Sequence, residues 1–186
     1  IILLLFIAVH TQASIEIRSR QITIADGLAN NSVRHFMQDS KGFIWMGTLN
    51  GLNRYDGNSF LTYYPSPDNP LSLASRKVYS LEEDANGFMW IGFSSEQFSC
   101  FDLKKASFVD YTGNGETEQR YSKILRVSNN DVWLWHDENG ARRIIYTEGK
   151  FQSVVYKKGM GNLPDNAVNF VAEGKNSCIW IGTNKG

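Results

Sequence analysis

The sequence predicts an all-β fold of four-stranded antiparallel sheets, copied along the chain and stacked side by side as β-propeller blades. Three observations predict it. A marker tryptophan recurs at Trp45, Trp90, Trp133 and Trp180, with separations of 45, 43 and 47 residues. Each copy breaks into short runs rich in Val, Ile, Phe, Tyr and Trp, parted by Gly, Asn and Asp. No stretch holds a helical apolar period over ten residues, which argues against helical repeats of the same length.

The chain starts at Ile1 rather than Met, with the apolar run IILLLFIAV over residues 1–9. A bilayer span needs roughly 20 residues. Small residues follow at Thr11 and Ala13, which is the pattern of a secretory leader. Residues 1–13 are therefore expected to be a signal peptide truncated at its start. Residues 14–26, with the stretch Ile15 to Ile24, are expected to form an outer strand preceding blade one.

The blades are expected near 27–70, 71–118, 119–161 and 162–186. In the first, the strands fall at Val33–Gln38, Phe43–Thr48, Leu52–Tyr55 and Ser59–Tyr64. Asp39-Ser40-Lys41-Gly42 and Asp84-Ala85-Asn86-Gly87 each place Asp first and Gly fourth. That suits a turn whose Asp binds backbone and whose Gly takes positive φ. The strands Phe43-Ile44-Trp45-Met46 and Phe88-Met89-Trp90-Ile91 are apolar on both faces, so each sheet should be covered on both sides. Gly47, Gly92 and Gly182 lie two places after the tryptophan, where a neighbouring sheet could come close. The third copy departs from this pattern. It carries Trp135 and His136 at the Gly and Thr places, and Asn129-Asn130-Asp131 in place of the Asp-x-x-Gly turn. The fourth copy stops after its second strand. The chain reads as an incomplete propeller of about three and a half blades from a longer protein, an open stack with exposed edges and poor solubility.

Composition narrows the function. Nineteen basic residues balance nineteen acidic ones, which argues against a polyanion binder, and no nucleic acid is expected on this segment. The imidazoles are His10, His35 and His136, with no metal-ligand spacing. Neither a cofactor, a metal nor a catalytic residue is expected. Cys100 and Cys178 sit in apolar runs and read as small hydrophobes rather than a disulfide. Glu82-Glu83-Asp84 reads as a solvated edge leading into a turn.

One pattern runs through the copies. It joins Gly27-Leu28, Val33, Asp39, Gly42, Phe43-Ile44-Trp45-Met46-Gly47-Thr48, Gly51-Leu52 and Tyr55-Asp56. It returns at Val78, Asp84, Gly87 and Trp90-Ile91-Gly92, then at Leu163-Pro164-Asp165-Asn166-Ala167-Val168 and Ile179-Trp180-Ile181-Gly182-Thr183. This resembles the regulator-propeller repeat of periplasmic sensor regions in hybrid two-component histidine kinases of Bacteroides type. The resemblance implies an exported segment of an inner-membrane protein that senses glycan-derived oligosaccharides. The membrane helix and the kinase would lie in regions beyond this chain, so no catalytic residue carries over. A homodimer of the whole protein is compatible with it. Two other readings stand beside this one: a secreted or periplasmic propeller hydrolase or lyase, and a non-catalytic scaffold propeller.

A neutral sugar is held by an aromatic plate for its C–H face and by polar side chains for its hydroxyls. Trp135, His136, Asn50, Arg34 and Arg76 have that chemistry near the loops that join blades or link second and third strands. They are the expected ligand-binding residues.

Overall fold

The computed structural model describes residues 19–93, 98–111, 121, 123–160 and 163–186. The first sheet orders β1 (Val33–Gln38), β2 (Ile44–Thr48), β3 (Gly51–Tyr55) and β4 (Phe60–Tyr63). The second orders β5 (Val78–Glu83), β6 (Phe88–Phe93), β7 (Ser99–Asp102) and β8 (Ser107–Val109). The third comprises β9 (Lys123–Arg126), β10 (Val132–His136), β11 (Gly140–Thr147) and β12 (Lys150–Tyr156), again in chain order. The fourth pairs β13 (Val168–Glu173) with β14 (Ile179–Thr183). All pairings between these strands are antiparallel. The first-blade strands agree with the predicted ones to within a residue or so at each end.

The described sheets stack in chain order. β1 and β2 touch β5, β5 touches β9, and β10 touches β13. Three apolar clusters fill the seams. Trp45, Leu81, Ile91 and Phe101 meet in the first, and Trp90, Leu134 and Ile144 in the second. Trp133, Trp135, Val168 and Val171 meet in the third. Trp45, Trp90 and Trp133 thus each point at the sheet that follows. Trp45 packs edge-on to Phe101 of the second sheet with centroids 5.3 Å apart, and Trp90 meets Phe151 of the third at 6.0 Å. Such burial on both sides explains the apolar runs of the Trp strands: all six residues of β6 are buried. Trp180 lies on the last sheet and is 64% exposed.

The turn carboxylates do more than cap. Asp39 accepts from the backbone N–H of Lys41 and Phe43, and its second oxygen accepts from Trp45 Nε1 at 2.7 Å. Asp84 repeats this with Asn86, Phe88 and Trp90 Nε1, the last at 2.9 Å. One buried carboxylate therefore fixes both the turn and the indole.

The third copy needs a correction. Its turn is Val127-Ser128-Asn129-Asn130, not Asn129-Asn130-Asp131. Val127 N–H donates to Asp131 O, as Asp39 donates to Phe43 O and Asp84 to Phe88 O. Asn130 takes the positive φ (70°) that Gly42 and Gly87 take in the first two turns. Val127 has no carboxylate, and the buried Trp133 Nε1 has no hydrogen-bond partner among the described residues. Asp131 instead accepts from Arg143 Nε at 2.5 Å.

A second correction concerns residues 19–26 of the strand predicted over 14–26; residues 14–18 lie outside the described residues. Residues 19–23 form no strand, and Ile24–Asp26 is a 3-10 turn. Turn chemistry overrides the alternating pattern: Thr23 Oγ1 caps Ala25 N–H, while Asp26 accepts from Thr23 N–H and Oγ1–H. The expected signal peptide over 1–13 lies outside the described residues.

Candidate functional site

A four-stranded antiparallel sheet sends its 2–3 turn to one end, together with the loop leading to the next sheet. The 1–2 and 3–4 turns go to the other end. Residues 49–50, 64–77, 137–139 and 184–185 therefore share what we term the loop end.

At the seam of sheets one and two, the loop end gathers three side chains. Arg76 Nη1 donates to Asn50 Oδ1 at 3.2 Å. The Arg76 guanidinium carbon lies 5.1 Å from the centroid of the Tyr64 ring. Backbone bonding fixes the pair, since Gly51 N–H donates to Arg76 O at 2.7 Å. Beside them, residues 65–76 line an open cleft of about 480 Å³ that includes Pro65, Pro67, Pro70 and Leu73. Three prolines fix φ along its wall. Ser66 N–H donates to Ser72 Oγ and Leu71 N–H to Asn69 Oδ1, so the wall is internally bonded.

Of the five residues expected from the sequence, Asn50 and Arg76 are brought together here. Arg34 is nearby in the same seam, with its guanidinium carbon 5.9 Å from the ring centroid of Tyr79 on β5. Trp135 and His136 belong to the third sheet. The Trp135 ring is buried in the third seam and its Nε1 donates to Asn169 O at 3.4 Å. His136 Nδ1 accepts from Glu138 N–H at 3.2 Å. Around them Lys123 Nζ donates to Asp137 Oδ1 at 2.7 Å and to Asn169 O at 3.3 Å, which staples sheet three to sheet four. The Lys123 hydrogen bond holds the Asp137 carboxyl below the usual carboxylate range. Tyr64 is not among the expected residues; its sequence pattern marks it only as the end of a strand. The available signal was an aromatic residue directly before Pro65, where a strand must give way to a loop.

The opposite end holds a larger cleft of about 580 Å³ along β1 and β5. Its carboxylates serve the stack. Glu83 accepts from Ser40 N–H at 2.8 Å across the first seam, and Glu173 accepts from Ser128 across the third. In the second seam Arg126 replaces the glutamate and lies 3.9 Å from Glu82.

The family model for the two-component regulator propeller matches residues 27–50, 72–95 and 162–185. Those three segments match the two-component regulator propeller repeat. The matched segments leave out residues 96–161, which hold the third copy with its altered turn. Histidine kinase P4 of Formosa agariphila is 35% identical over 75 residues, covering 40% of this chain and 6% of that protein. The extracellular domain of a hybrid two-component system from B. thetaiotaomicron superposes with a TM-score of 0.59 at 21% identity, over 84% of this chain and 22% of that one. PorZ, a surface component of the type-IX secretion system of Porphyromonas gingivalis, superposes with a TM-score of 0.51 at 14% identity, over 80% of this chain and 23% of that one. At such identities the solved structures establish the shared propeller fold alone. This chain spans only a small part of each relative's length.

Proposed function

We propose that this chain is the N-terminal, periplasmic, ligand-sensing part of a transmembrane two-component sensor, and that its ligand is a glycan-derived oligosaccharide. The regulator repeats, the histidine kinase relative and the extracellular placement of the solved B. thetaiotaomicron domain support the sensor reading. The observation that carries the ligand reading is the meeting of Arg76 with Asn50 and Tyr64, Arg76 also lining the cleft of the 65–76 loop. An aromatic ring offers a face to sugar C–H groups, and the amide and guanidinium bind hydroxyls in fixed directions.

The cleft lies in the loop that links the two sheets. A ligand bridging Asn50 of sheet one and Arg76 of the loop leading to sheet two favours one packing of the first seam over another. It shifts the population only by its differential affinity for the two arrangements. In the whole protein that shift would pass through the stack and a membrane helix to the kinase.

The test is calorimetric titration of the chain with a panel of oligosaccharides from plant and host glycans. Saturable binding, weakened by Asn50→Ala and by Tyr64→Ala, is expected. A folded chain that binds no member of the panel would end the ligand reading.

A further inference from the structure

We propose that Arg76 reads a negative charge on the ligand, so that the saccharide recognised at the first seam carries an oxyanion, a carboxylate or a sulfate. This rests on the oligosaccharide reading above and narrows it to acidic sugars.

The inference comes from how Arg76 is held. Arg20, Lys105, Lys123, Arg126 and Arg143 each have a carboxylate in ion-pair range. Among the described residues Arg76 has none, and neither does the adjacent Lys77. Asp68, the single acidic residue in the loop over 64–77, forms no ion pair with either. Two neutral groups fix the guanidinium instead. Tyr64 sits against its face and Asn50 takes one Nη1 hydrogen. Among the described residues its side chain makes no other hydrogen bond, so the rest of its planar fork of donors is left for a partner. A fork held in place without a counter-ion is suited to bidentate recognition of an oxyanion. Neutral hydroxyls need no such charge. Stacking restricts the side chain beforehand, so less freedom is lost when the anion docks.

Calorimetric titration of the chain tests this with three probes of matched length: an oligogalacturonate, a sulfated galactan oligosaccharide and the neutral galactan oligosaccharide. At least one acidic probe is expected to bind about tenfold or more tightly than the neutral one, since charge-assisted hydrogen bonds are the strong ones. The advantage should shrink with added sodium chloride. Arg76→Gln should abolish it, while Arg76→Lys should keep part of it because the charge remains and the fork is lost. Which acidic probe binds more tightly assigns the group as carboxylate or sulfate. Circular-dichroism melts of each variant establish that it is folded. Equal binding of neutral and acidic probes, or an acidic preference that survives Arg76→Gln, overturns this inference and leaves the oligosaccharide reading standing. Failure of a folded chain to bind any of the three probes overturns this inference, and failure on the wider panel overturns the oligosaccharide reading as well.

Discussion

Asp39 and Asp84 each satisfy three donors, one of them a buried indole, and the third copy has lost that arrangement because Val127 stands in the carboxylate's place. The same substitution should therefore have different costs in different blades. Trp45→Phe and Trp90→Phe remove one partner of a buried hydrogen bond and strand a carboxylate oxygen. Trp133→Phe removes a donor that has no partner. Its loss of stability should be smaller by about 1–3 kcal/mol, measured by thermal or denaturant unfolding. Equal costs at the three sites would contradict the role given to the carboxylates. A second residue-scale effect concerns pH. Lys123 holds Asp137 below the usual carboxylate range, so the bridge contributes at pH values above the unfolded carboxyl's titration and is lost as pH falls through the folded one. Lys123→Met should raise the Asp137 titration midpoint, followed by carboxyl NMR. An unchanged midpoint would separate the shift from the lysine.

At the scale of the elements, the seam between sheets one and two depends on a missing side chain. A Cβ on Gly47 would come within 2.6 Å of Val78 Cγ1 on β5. Gly47→Ala should cost about 1–3 kcal/mol through overpacking. Val78→Ala removes the clashing methyls, so the double variant should lose less than the two single losses added together. Additive losses would mean that the seam does not close at this point. Blades one and two were readable in the sequence because strand pattern, turn residues and tryptophan spacing agreed there. In the third copy, an asparagine in the left-handed region stood in for glycine and shifted the apparent turn by two residues. Residues 19–26 also misled, because alternating Ile residues hid the Thr23–Asp26 cap. The Arg76–Asn50 meeting was readable only as two residues on neighbouring loops. Their contact depends on the Gly51 to Arg76 backbone bond across the seam, which no local pattern records. Trp135 has the composition of a sugar plate, yet the absence of glycine at its place lets it fill the third seam.

For the stack as a whole, the two ends present complementary faces. Every internal seam sets the Trp face of one sheet on the opposite face of the next, where Leu81 and Val171 are buried. Phe36 occupies the equivalent position on sheet one, by its pairing with Met46, and is 72% exposed. Trp180 is the exposed tryptophan of the last sheet. A contact between such unlike faces is heterologous, so it leaves one of each free and can propagate. The isolated 186-residue chain is therefore expected to associate end to end, with a sedimentation coefficient that rises with concentration. Phe36→Glu and Trp180→Glu should each make it monomeric, since each spoils one face. Mixing the two variants should restore association but stop it at a one-to-one dimer, because the Trp180 face of the first meets the Phe36 face of the second and both outer faces are charged. A symmetric dimer joined through a single kind of face would behave otherwise: one of the variants would still pair with itself, and the mixture would gain nothing.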